Sequence, residues 1–250
     1  MNVSLYQAAS ALDATSRWQE IISENLASSP VPGFRKQDLS FMATSAGIRP
    51  GVAPDSVGGV QQLAIPTGRP STNFTPGEMR YTGENTHVAI DGKAFFEIQL
   101  PDGELAYTRD GEFQIDSQGQ LVTKQGHPVL SENGPVMMEL GRPEPLSISP
   151  TGEISQGTEV KGRIKLVGFS DEHLLKPMGG GLFTADDPGL QATGAGRSTV
   201  RQGWIEGSNA SVVGEMANLL TAMRTYEANQ RVIQLHDERM GKAITELASS

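Results

Sequence analysis

The sequence contains no cysteine and no long apolar run. Without thiols, disulfide staples and thiolate metal sites are excluded. No apolar run approaches the roughly 18 residues of a membrane-spanning helix, so membrane insertion is not expected. The first turns of the chain have neither a basic region nor a continuous apolar core, and a cleaved secretory signal is therefore not expected either.

Residue types that are common in catalytic and metal sites occur, but not in the patterns that those sites require. No two histidines stand at ligand spacing, and none belongs to an HExxH-type motif. The glycines at 179–181 lack the Lys-Ser/Thr of a phosphate-binding loop, and no Gly-x-Ser-x-Gly elbow is present. Asp-Gly pairs such as Asp102-Gly103 lack the carboxylate spacing of a calcium loop and indicate turns. The sequence predicts no enzyme activity, no metal or other cofactor and no small-molecule substrate.

Positive charge is scarce, whereas turn-forming residues are plentiful. Lys and Arg number 20 against 29 Asp and Glu, which gives a net charge of −9. A basic face of the kind that binds nucleic acid is therefore not expected. The 29 glycines and 15 prolines predict many turns and long non-helical connections.

The strongest periodic signal lies in residues 211–247. Apolar or aromatic residues recur at every seventh position, and three of the five positions four residues further on are apolar too. Such a pattern predicts a helix of roughly 55 Å with a coiled-coil seam. Its polar members, Gln230 and Asp237, are candidate register marks. The first row is Val212, Leu219, Tyr226, Ile233, Met240 and Leu247, and the second is Met216, Met223, Gln230, Asp237 and Ile244.

A weaker helical pattern covers residues 4–28. Ser4 is a suitable N-cap with Gln7 three residues later, and Pro30 and Pro32 end the helix. Its seam consists of Leu5, Ala8, Leu12, Thr15, Gln19, Ile22 and Leu26. An ordinary amphipathic helix on a globular core would give the same pattern. However, two such helices stand at the chain ends with little helical pattern between them, so we expect them to pair with each other or with neighbouring subunits.

The middle of the chain divides into an extended arm and a β-rich region. Residues 46–80 are rich in Gly, Pro, Ser and Thr and have no helical period, which predicts an extended arm. From residue 85 onwards, short runs of β-forming residues alternate with turns such as Asp91-Gly92 and Asp110-Gly111. Strands are predicted at 88–90, 95–100, 105–108, 113–115, 121–123, 136–139, 146–148, 154–155, 163–169 and 198–205, with loops at 179–183 and 190–198.

These patterns together predict an α+β fold. The N- and C-terminal helices pair as a coiled coil, a mostly antiparallel β domain is inserted between them, and an extended arm follows the first helix. The predicted boundaries are 1–32 for the N-terminal helix, 33–84 for the arm, 85–205 for the β domain and 206–250 for the C-terminal helix.

Three stretches of the sequence resemble the flagellar basal-body rod family, which includes the proximal and distal rod proteins and, further off, the hook protein. Near the start, SLYQAASAL and IISENLASSPVPGFRKQ are similar to the N-terminal signature of the family. Near the end, GWIEGSNASVVGEMANLLTAMRTYEANQRVIQ is similar to its C-terminal block, and the region 88–130 is close to its β domain. The chain departs from the family pattern at Ser28, Pro30 and Pro32, where Asn, Asn and Thr are usual.

The resemblance implies a structural protein that assembles with copies of itself and with other flagellar rod and hook proteins. In this family the terminal helices line a helical tube, the β domain faces outward, and the segment after the first helix contacts neighbours. Subunits leave the cytoplasm through the flagellar type III export apparatus, without a cleaved signal peptide. The expected location is the basal-body rod, which spans the periplasm and transmits torque from motor to hook.

The sequence leaves three alternatives open beside a proximal-rod subunit. They are a distal-rod or hook-type subunit of the same family, a wall-associated enzyme, and a binding β module on a helical stalk. For the rod subunit, the residues expected at the assembly interface are those of the helical seams and of the adjoining motifs. They are Leu5, Leu12, Ile22, Asn25, Leu26, Gly33, Phe34, Val212, Met216, Leu219, Met223, Tyr226, Asn229, Ile233 and Met240.

Overall fold

A computed structural model gives the structure of the chain and describes residues 3–48, 62–141, 144 and 146–248. Over these residues the chain forms two long helices, one at each end, with β-strands between them. Among the described residues 72–211, the strands pair in antiparallel orientation. The α+β class, the helix at each end and the mostly antiparallel β domain are therefore confirmed.

The two helices are α1, Val3–Ala27, and α2, Val212–Ala248. Both agree with the sequence pattern to within one or two residues, which is the usual uncertainty of helix ends. Pro30 and Pro32 follow α1, and Glu215 lies in the first turn of α2, where a carboxylate interacts favourably with the helix dipole. Neither helix, over its described residues, is long and apolar enough to cross a membrane.

The segment predicted as an extended arm contains a β-hairpin. Its strands are β1, Gln37–Ile48, and β2, Gln62–Thr72. Ser71 Oγ donates to the Asp38 carbonyl at 3.4 Å and Thr67 Oγ1 to the Met42 carbonyl at 3.3 Å. The residue numbers rise along one strand as they fall along the other, so the two strands run antiparallel. The described part of the arm therefore folds back on itself, while residues 49–61 lie outside the described residues.

The chain divides into two compact units. The first unit comprises residues 1–26, 37–71 and 212–250, and so contains α1, the β1–β2 hairpin and α2. The second unit comprises residues 27–36 and 72–211, which include the remaining strands. The short segment between α1 and β1 thus belongs to the β-rich unit, although both elements that it connects belong to the helical one.

The second unit contains several small antiparallel sheets around one larger sheet. Six strands form the larger sheet in the order β15-β16-β6-β5-β14-β17, and β11-β12-β13 form a three-stranded sheet. Strands β3 and β4, near the start of the unit, pair with β19 and β18 at its end. The strands are β3 Met79–Tyr81, β4 Val88–Asp91, β5 Phe95–Gln99, β6 Leu105–Thr108, β7 Gln114–Ile115, β8 Leu121–Val122, β9 Leu130–Ser131, β10 Gly134–Pro135, β11 Leu146–Ile148, β12 Glu153–Gln156, β13 Glu159–Arg163, β14 Leu166–Phe169, β15 Lys176–Gly179, β16 Leu182–Thr184, β17 Ala192–Gly194, β18 Thr199–Gln202 and β19 Trp204–Glu206.

The core of the second unit explains why the β-forming runs were readable from the sequence. Val88, Phe96 and Ile98 are fully buried together in its larger cluster. A smaller cluster contains Phe95 and Phe183, whose rings meet edge to face at 5.8 Å. Adjacent residues Phe95 and Phe96 thus enter different clusters, as expected when successive side chains point to opposite faces of a strand.

Two regions that the sequence predicted as loops contain strands, and one predicted strand is absent. Lys176–Gly179 and Leu182–Thr184 form a hairpin, and Ala192–Gly194 is an edge strand. The intervening Gly179, Gly180 and Gly181 have φ of 90°, 59° and 80°, so this glycine run is the hairpin turn. The predicted strand at 136–139 is reduced to an isolated bridge between Gln120 and Met137.

Candidate functional site

Asn25 joins three elements of the first unit. Its Oδ1 accepts the Gln37 amide at 2.8 Å, while its Nδ2 donates to the Gln37 carbonyl at 2.8 Å and to Glu215 Oε2 at 3.4 Å. Asn25 is 1% exposed and Glu215 is 4% exposed. One buried amide therefore connects the end of α1, the start of β1 and the first turn of α2.

One face of α1 is buried. Ala8, Thr15 and Ile22 are all less than 9% exposed and recur every seven residues, as the seam predicted. The Thr15 hydroxyl donates to the Ala11 carbonyl at 2.6 Å, so no unsatisfied polar hydrogen enters this face. On the same helix, the Trp18 ring meets the Phe41 ring of β1 edge to face at 5.7 Å.

The face of α2 that is least exposed has heptad spacing, with its second row in a different place from the predicted one. It consists of Glu215, Leu219, Ala222, Tyr226, Asn229, Ile233 and His236. The first row is the predicted one at Leu219, Tyr226 and Ile233, but the second row lies three residues after it rather than four. Met216, Met223, Gln230 and Asp237 are exposed in the single chain, and their role as core positions of a seam stays a prediction. Hydrophobicity favoured the methionines, whereas the half-buried row is mostly polar or small.

Besides Val212, two groups of apolar residues are exposed on the described part of α2. Val213, Met216, Leu220 and Met223, which follow one another at spacings of three and four, are 79%, 51%, 60% and 48% exposed. We call this set the α2 flank row. Further along, Val232 and Leu235 are 43% and 53% exposed, and Met240 is 49% exposed. Exposed apolar surface arranged in rows is typical of a surface that binds another protein.

A buried carboxylate lies between two buried arginines in the second unit. Glu206 Oε1 is 2.6 Å from Arg35 Nη2, and Glu206 Oε2 is 3.4 Å from Arg109 Nη1. All three side chains are at most 3% exposed. Arg109 Nη1 also donates to the Ile90 carbonyl at 3.3 Å, and its guanidinium lies 5.1 Å from the centroid of the Phe95 ring. We call these three charged residues the Glu206 junction.

The electrostatics of the Glu206 junction are unbalanced, with two positive charges and one negative charge. The pKa of Arg109 is lowered to about 10, mainly by burial and also by the charge of Arg35, while Glu206 opposes both effects. Arg109 therefore remains protonated at neutral pH. The Nε and Nη1 atoms of Arg35 have no hydrogen-bond partner in the described part of the chain. Glu206 is thus the carboxylate on which the burial of both cations depends.

The backbone on either side of Arg35 fits closely into this junction. Gly33 has φ of 65°, and its amide donates to the Glu206 carbonyl at 2.7 Å. A Cβ at Gly33 would lie 2.3 Å from the Arg109 carbonyl carbon, so a side chain is excluded. The Phe34 carbonyl accepts the Asn209 amide at 3.2 Å. The glycine of the GFRK motif is therefore required by close backbone approach as well as by its backbone conformation.

Asn209 completes the connection between the two chain segments. Its Oδ1 accepts the Lys36 amide at 2.7 Å, and its Nδ2 donates to the carbonyls of Asn73 and Thr75 at 2.8 and 2.9 Å. The motifs GFRK and EGSN, far apart in sequence, thus bind each other within the second unit. One segment follows α1 in the chain and the other precedes α2.

The predicted interface residues fall into three groups in the structure. Ile22, Asn25, Gly33 and Phe34 are buried within the single chain, and the contacts of the last three are internal. Within the single chain these four residues organise the subunit, and their part in the assembly interface stays a prediction. Val212, Met216, Met223 and Met240 are exposed, and Leu12, Leu26, Leu219, Tyr226, Asn229 and Ile233 are half-buried. The side chain of Leu5 lies outside the described residues.

Sequence reasoning missed the Glu206 junction. Its residues stand in the quoted motifs GFRK, TRDG and WIEGSN, but charged residues are normally read as exposed. The signal in the sequence was that two arginines and one glutamate each stood within two residues of a glycine in these motifs. Their meeting depends on long-range strand pairing, which no local pattern contains.

Asp110, beside the junction, titrates near neutral pH. The pKa of its carboxyl is raised from 3.8 to about 6, mainly by burial and also by the charge of Glu112, while the hydrogen bond from the Glu112 amide, Lys124 and His87 oppose the shift. The ionised carboxylate accepts the Glu112 amide at 2.9 Å. An acid whose pKa is raised by folding is penalised when ionised, so its contribution to stability increases as the pH falls through 6.

The Asp110→Asn variant is expected to lose this pH dependence. Between pH 7.5 and 5, the wild-type free energy of unfolding should rise relative to that of the variant by about 1.4 kcal/mol, because only about one pH unit of the interval between pKa 3.8 and about 6 lies in this range. Urea unfolding at several pH values measures this difference. Parallel curves for the two proteins would contradict it. Asp102→Asn, at an exposed turn, provides the control.

Comparison with known proteins gives these motifs a family. The family model of the flagellar hook protein FlgE/F/G D1 domain matches residues 89–156, and that of the flagellar basal body rod FlgEFG protein C-terminal region matches residues 201–246. The flagellar basal-body rod protein FlgG of Buchnera aphidicola subsp. Schizaphis graminum is 33% identical over an alignment of 262 positions, gaps included. The alignment covers 96% of this chain and 97% of the relative. The chain belongs to the flagellar basal-body rod protein family.

Other members of the rod family are about equally similar. FlgF of Escherichia coli is 30% identical over 262 residues, covering 97% of each chain. FlgF of Caulobacter vibrioides is 32% identical over 252 residues, covering 99% of this chain and 98% of the relative. The rod-family chain is a structural subunit and not an enzyme, and the alternative of a wall-associated enzyme is not favoured.

Proposed function

We propose that this rod subunit assembles with copies of itself and with other axial proteins into a helical tube. The tube transmits torque from the motor to the hook. The observation that carries the proposal is the α2 flank row, four apolar residues between 48% and 79% exposed on a helix of 37 residues. A subunit that functioned alone would expose this surface to water at a cost of about 25 cal/mol for each Å².

The pairing of α1 and α2 as a coiled coil is part of this proposal. The heptad spacing of the half-buried face of α2 and the Asn25–Glu215 hydrogen bond at 3.4 Å support it. In the assembly, the exposed members of the predicted interface, Val212, Met216, Met223 and Met240, contact neighbouring copies. The half-buried ones, Leu12, Leu26, Leu219, Tyr226, Asn229 and Ile233, form the seam within and between subunits.

The route of export and the location of the subunit are part of the same proposal. The subunit leaves the cytoplasm through the flagellar type III export apparatus without a cleaved signal peptide, and it joins the rod of the basal body. The relatives named FlgG and FlgF are about equally similar, so a proximal and a distal position in the rod remain alternatives.

Deletion of the coding sequence tests the proposed function. Cells that lack the chain should be non-motile, and their isolated basal bodies should lack a complete rod and a hook in electron micrographs. Re-expression of the wild-type chain should restore both structures, which controls for effects on neighbouring genes. A complete rod with a hook attached in the deletion strain would contradict the proposal.

A further inference from the structure

The chain passes between its two units at four points, which we call the crossings. In chain order they lie at residues 26–27, 36–37, 71–72 and 211–212. Units that are joined only by connecting segments are expected to move relative to one another, because a few residues in those segments can change their backbone angles. Hydrogen bonds that hold the connecting residues remove this freedom, so the bonds at the crossings decide how stiff the connection is.

Asn209 ties three of the crossings together within the β-rich unit. Its Oδ1 accepts the Lys36 amide at 2.7 Å, and its Nδ2 donates to the Asn73 and Thr75 carbonyls at 2.8 and 2.9 Å. The Lys36 carbonyl in turn accepts the Asn73 amide at 2.9 Å. Lys36 is the last residue before the second crossing, Asn73 the second residue after the third, and Asn209 the third residue before Val212, where the fourth crossing ends. We call this set the Asn209 tie.

Asn25 has the same role in the helical unit. Its Oδ1 accepts the Gln37 amide, and its Nδ2 donates to the Gln37 carbonyl and to Glu215 Oε2. Asn25 is the second residue before the first crossing, Gln37 the first residue after the second, and Glu215 the fourth residue after the fourth. We call this set the Asn25 tie. In each unit, one side-chain amide thus connects three of the four crossings.

The two ties meet at the second crossing. The amide and the carbonyl of Lys36 are bonded to Asn209 and Asn73 in the β-rich unit. The amide and the carbonyl of Gln37, the next residue, are both bonded to Asn25 in the helical unit. Every backbone polar group of these two residues is therefore hydrogen-bonded, and a rotation of the chain at this crossing would break bonds in one unit or the other.

The chemistry of the Asn209 side chain matches its place. An asparagine amide supplies two N–H donors and an acceptor oxygen. In the Asn209 tie the donors face two carbonyls and the oxygen faces an amide. Aspartate would keep the acceptor but would direct a second oxygen at both carbonyls, and alanine would remove all three bonds. Both substitutions therefore release the tie, one with the shape of the side chain kept and one without it.

We propose that the Asn209 and Asn25 ties make the connection between the two units stiff, so that a rotation of one unit carries the other with it. This inference rests on the proposed function and adds to it the route by which torque passes through a single subunit. Asn209 is a positioning residue in this sense, because it acts through the crossings that it holds.

Spin-label distance measurements test the stiffness, because the chain has no native cysteine at which a label would also attach. One label is attached at Asn218→Cys on α2 and the other at Val160→Cys on β13, both at exposed positions. The labelled full-length chain is diluted into an excess of unlabelled chain, so that only distances within one copy are measured. The labelled chain should give a narrow distance distribution, and adding Asn209→Ala or Asn209→Asp should broaden it about twofold, because the crossings then move separately.

Asn133→Ala is the matched control, since it makes the same substitution at an exposed turn of the β-rich unit and should leave the distribution narrow. A second label pair, Glu104→Cys with Val160→Cys, lies within that unit and should stay narrow when Asn209→Ala is added. Equal widths between the units with and without Asn209→Ala would overturn the proposal. Equal broadening of the second pair would overturn it too, because Asn209 would then only hold its own unit together. Neither result alters the deletion phenotype, which tests the proposed function separately.

Discussion

Replacement of Glu206 by Gln is expected to lower the free energy of unfolding of the β-rich unit by about 3–5 kcal/mol. Glu206 is 1% exposed and balances two arginines that are equally inaccessible to water. Glutamine has nearly the same shape and can still accept the Gly77 amide, which lies 3.0 Å from Glu206 Oε1. The variant therefore removes the charge and leaves two buried cations without a counter-charge.

Denaturant unfolding followed by far-ultraviolet circular dichroism measures this effect. Glu132→Gln is the matched control, because Glu132 forms a surface ion pair with Arg163 at 3.8 Å in which both side chains are about half exposed. Exposed pairs of this kind contribute at most about 1 kcal/mol. Equal losses of stability in the two variants would contradict a structural role for the buried charge.

A triple replacement separates the cost of unpaired charge from the loss of packing. Arg35→Met, Arg109→Met and Glu206→Leu together remove every charge of the junction but keep most of its volume. Because a buried ion cluster replaced by apolar residues is often no less stable, this variant should regain most of what Glu206→Gln loses. A triple variant less stable than Glu206→Gln would show that the hydrogen bonds of the junction matter more than its charge balance.

The local features of the fold could be predicted from the sequence, because short-range patterns encode them. Both helices were predicted to within two residues, since their apolar residues recur with a helical period and prolines follow α1. Strands such as Val88–Asp91 and Leu105–Thr108 were predicted because they place several buried side chains in succession between turns. The strand Ala192–Gly194 was missed because all three of its residues are exposed and one is a glycine.

The features that depend on distant pairing could not be predicted. The hairpin of β1 and β2 lies in a region without clear periodicity, and its two strands are separated by residues 49–61. The Glu206 junction brings together residues 35, 109 and 206 through the pairing of the first and last strands of the unit. On α2, apolarity did not reveal the row that the single chain buries, because a buried alanine such as Ala222 carries a weaker signal than the exposed Met223 beside it.

A carboxylate in the first seam row of α2 should abolish assembly but leave the β-rich unit folded. Leu219→Asp and Ile233→Asp each place a charge on the half-buried face of the helix, where an unpaired carboxylate costs several kcal/mol. Both residues belong to the first unit, whereas the hydrophobic clusters of the β-rich unit lie among residues 74–200. Each variant is therefore expected to lose assembly without losing the fold of the β-rich unit.

Sedimentation velocity measures assembly, and circular dichroism of the same samples measures the β-sheet content. Gln234→Asp, an exposed neighbour of Ile233, introduces the same charge outside the half-buried face and should assemble normally. If the Ile233→Asp variant assembles at the same protein concentration as the wild type, the half-buried face of α2 does not take part in the contact between subunits. Loss of the sheet signal in that variant would instead show that the β-rich unit depends on the helices for its stability.

The α2 flank row provides a third comparison. Leu220 is 60% exposed, so Leu220→Asp places the same charge on the exposed side of α2. If Leu220→Asp also blocks assembly while the sheet signal persists, α2 must contact other copies through a face that differs from its seam, as a helix inside a tube wall requires.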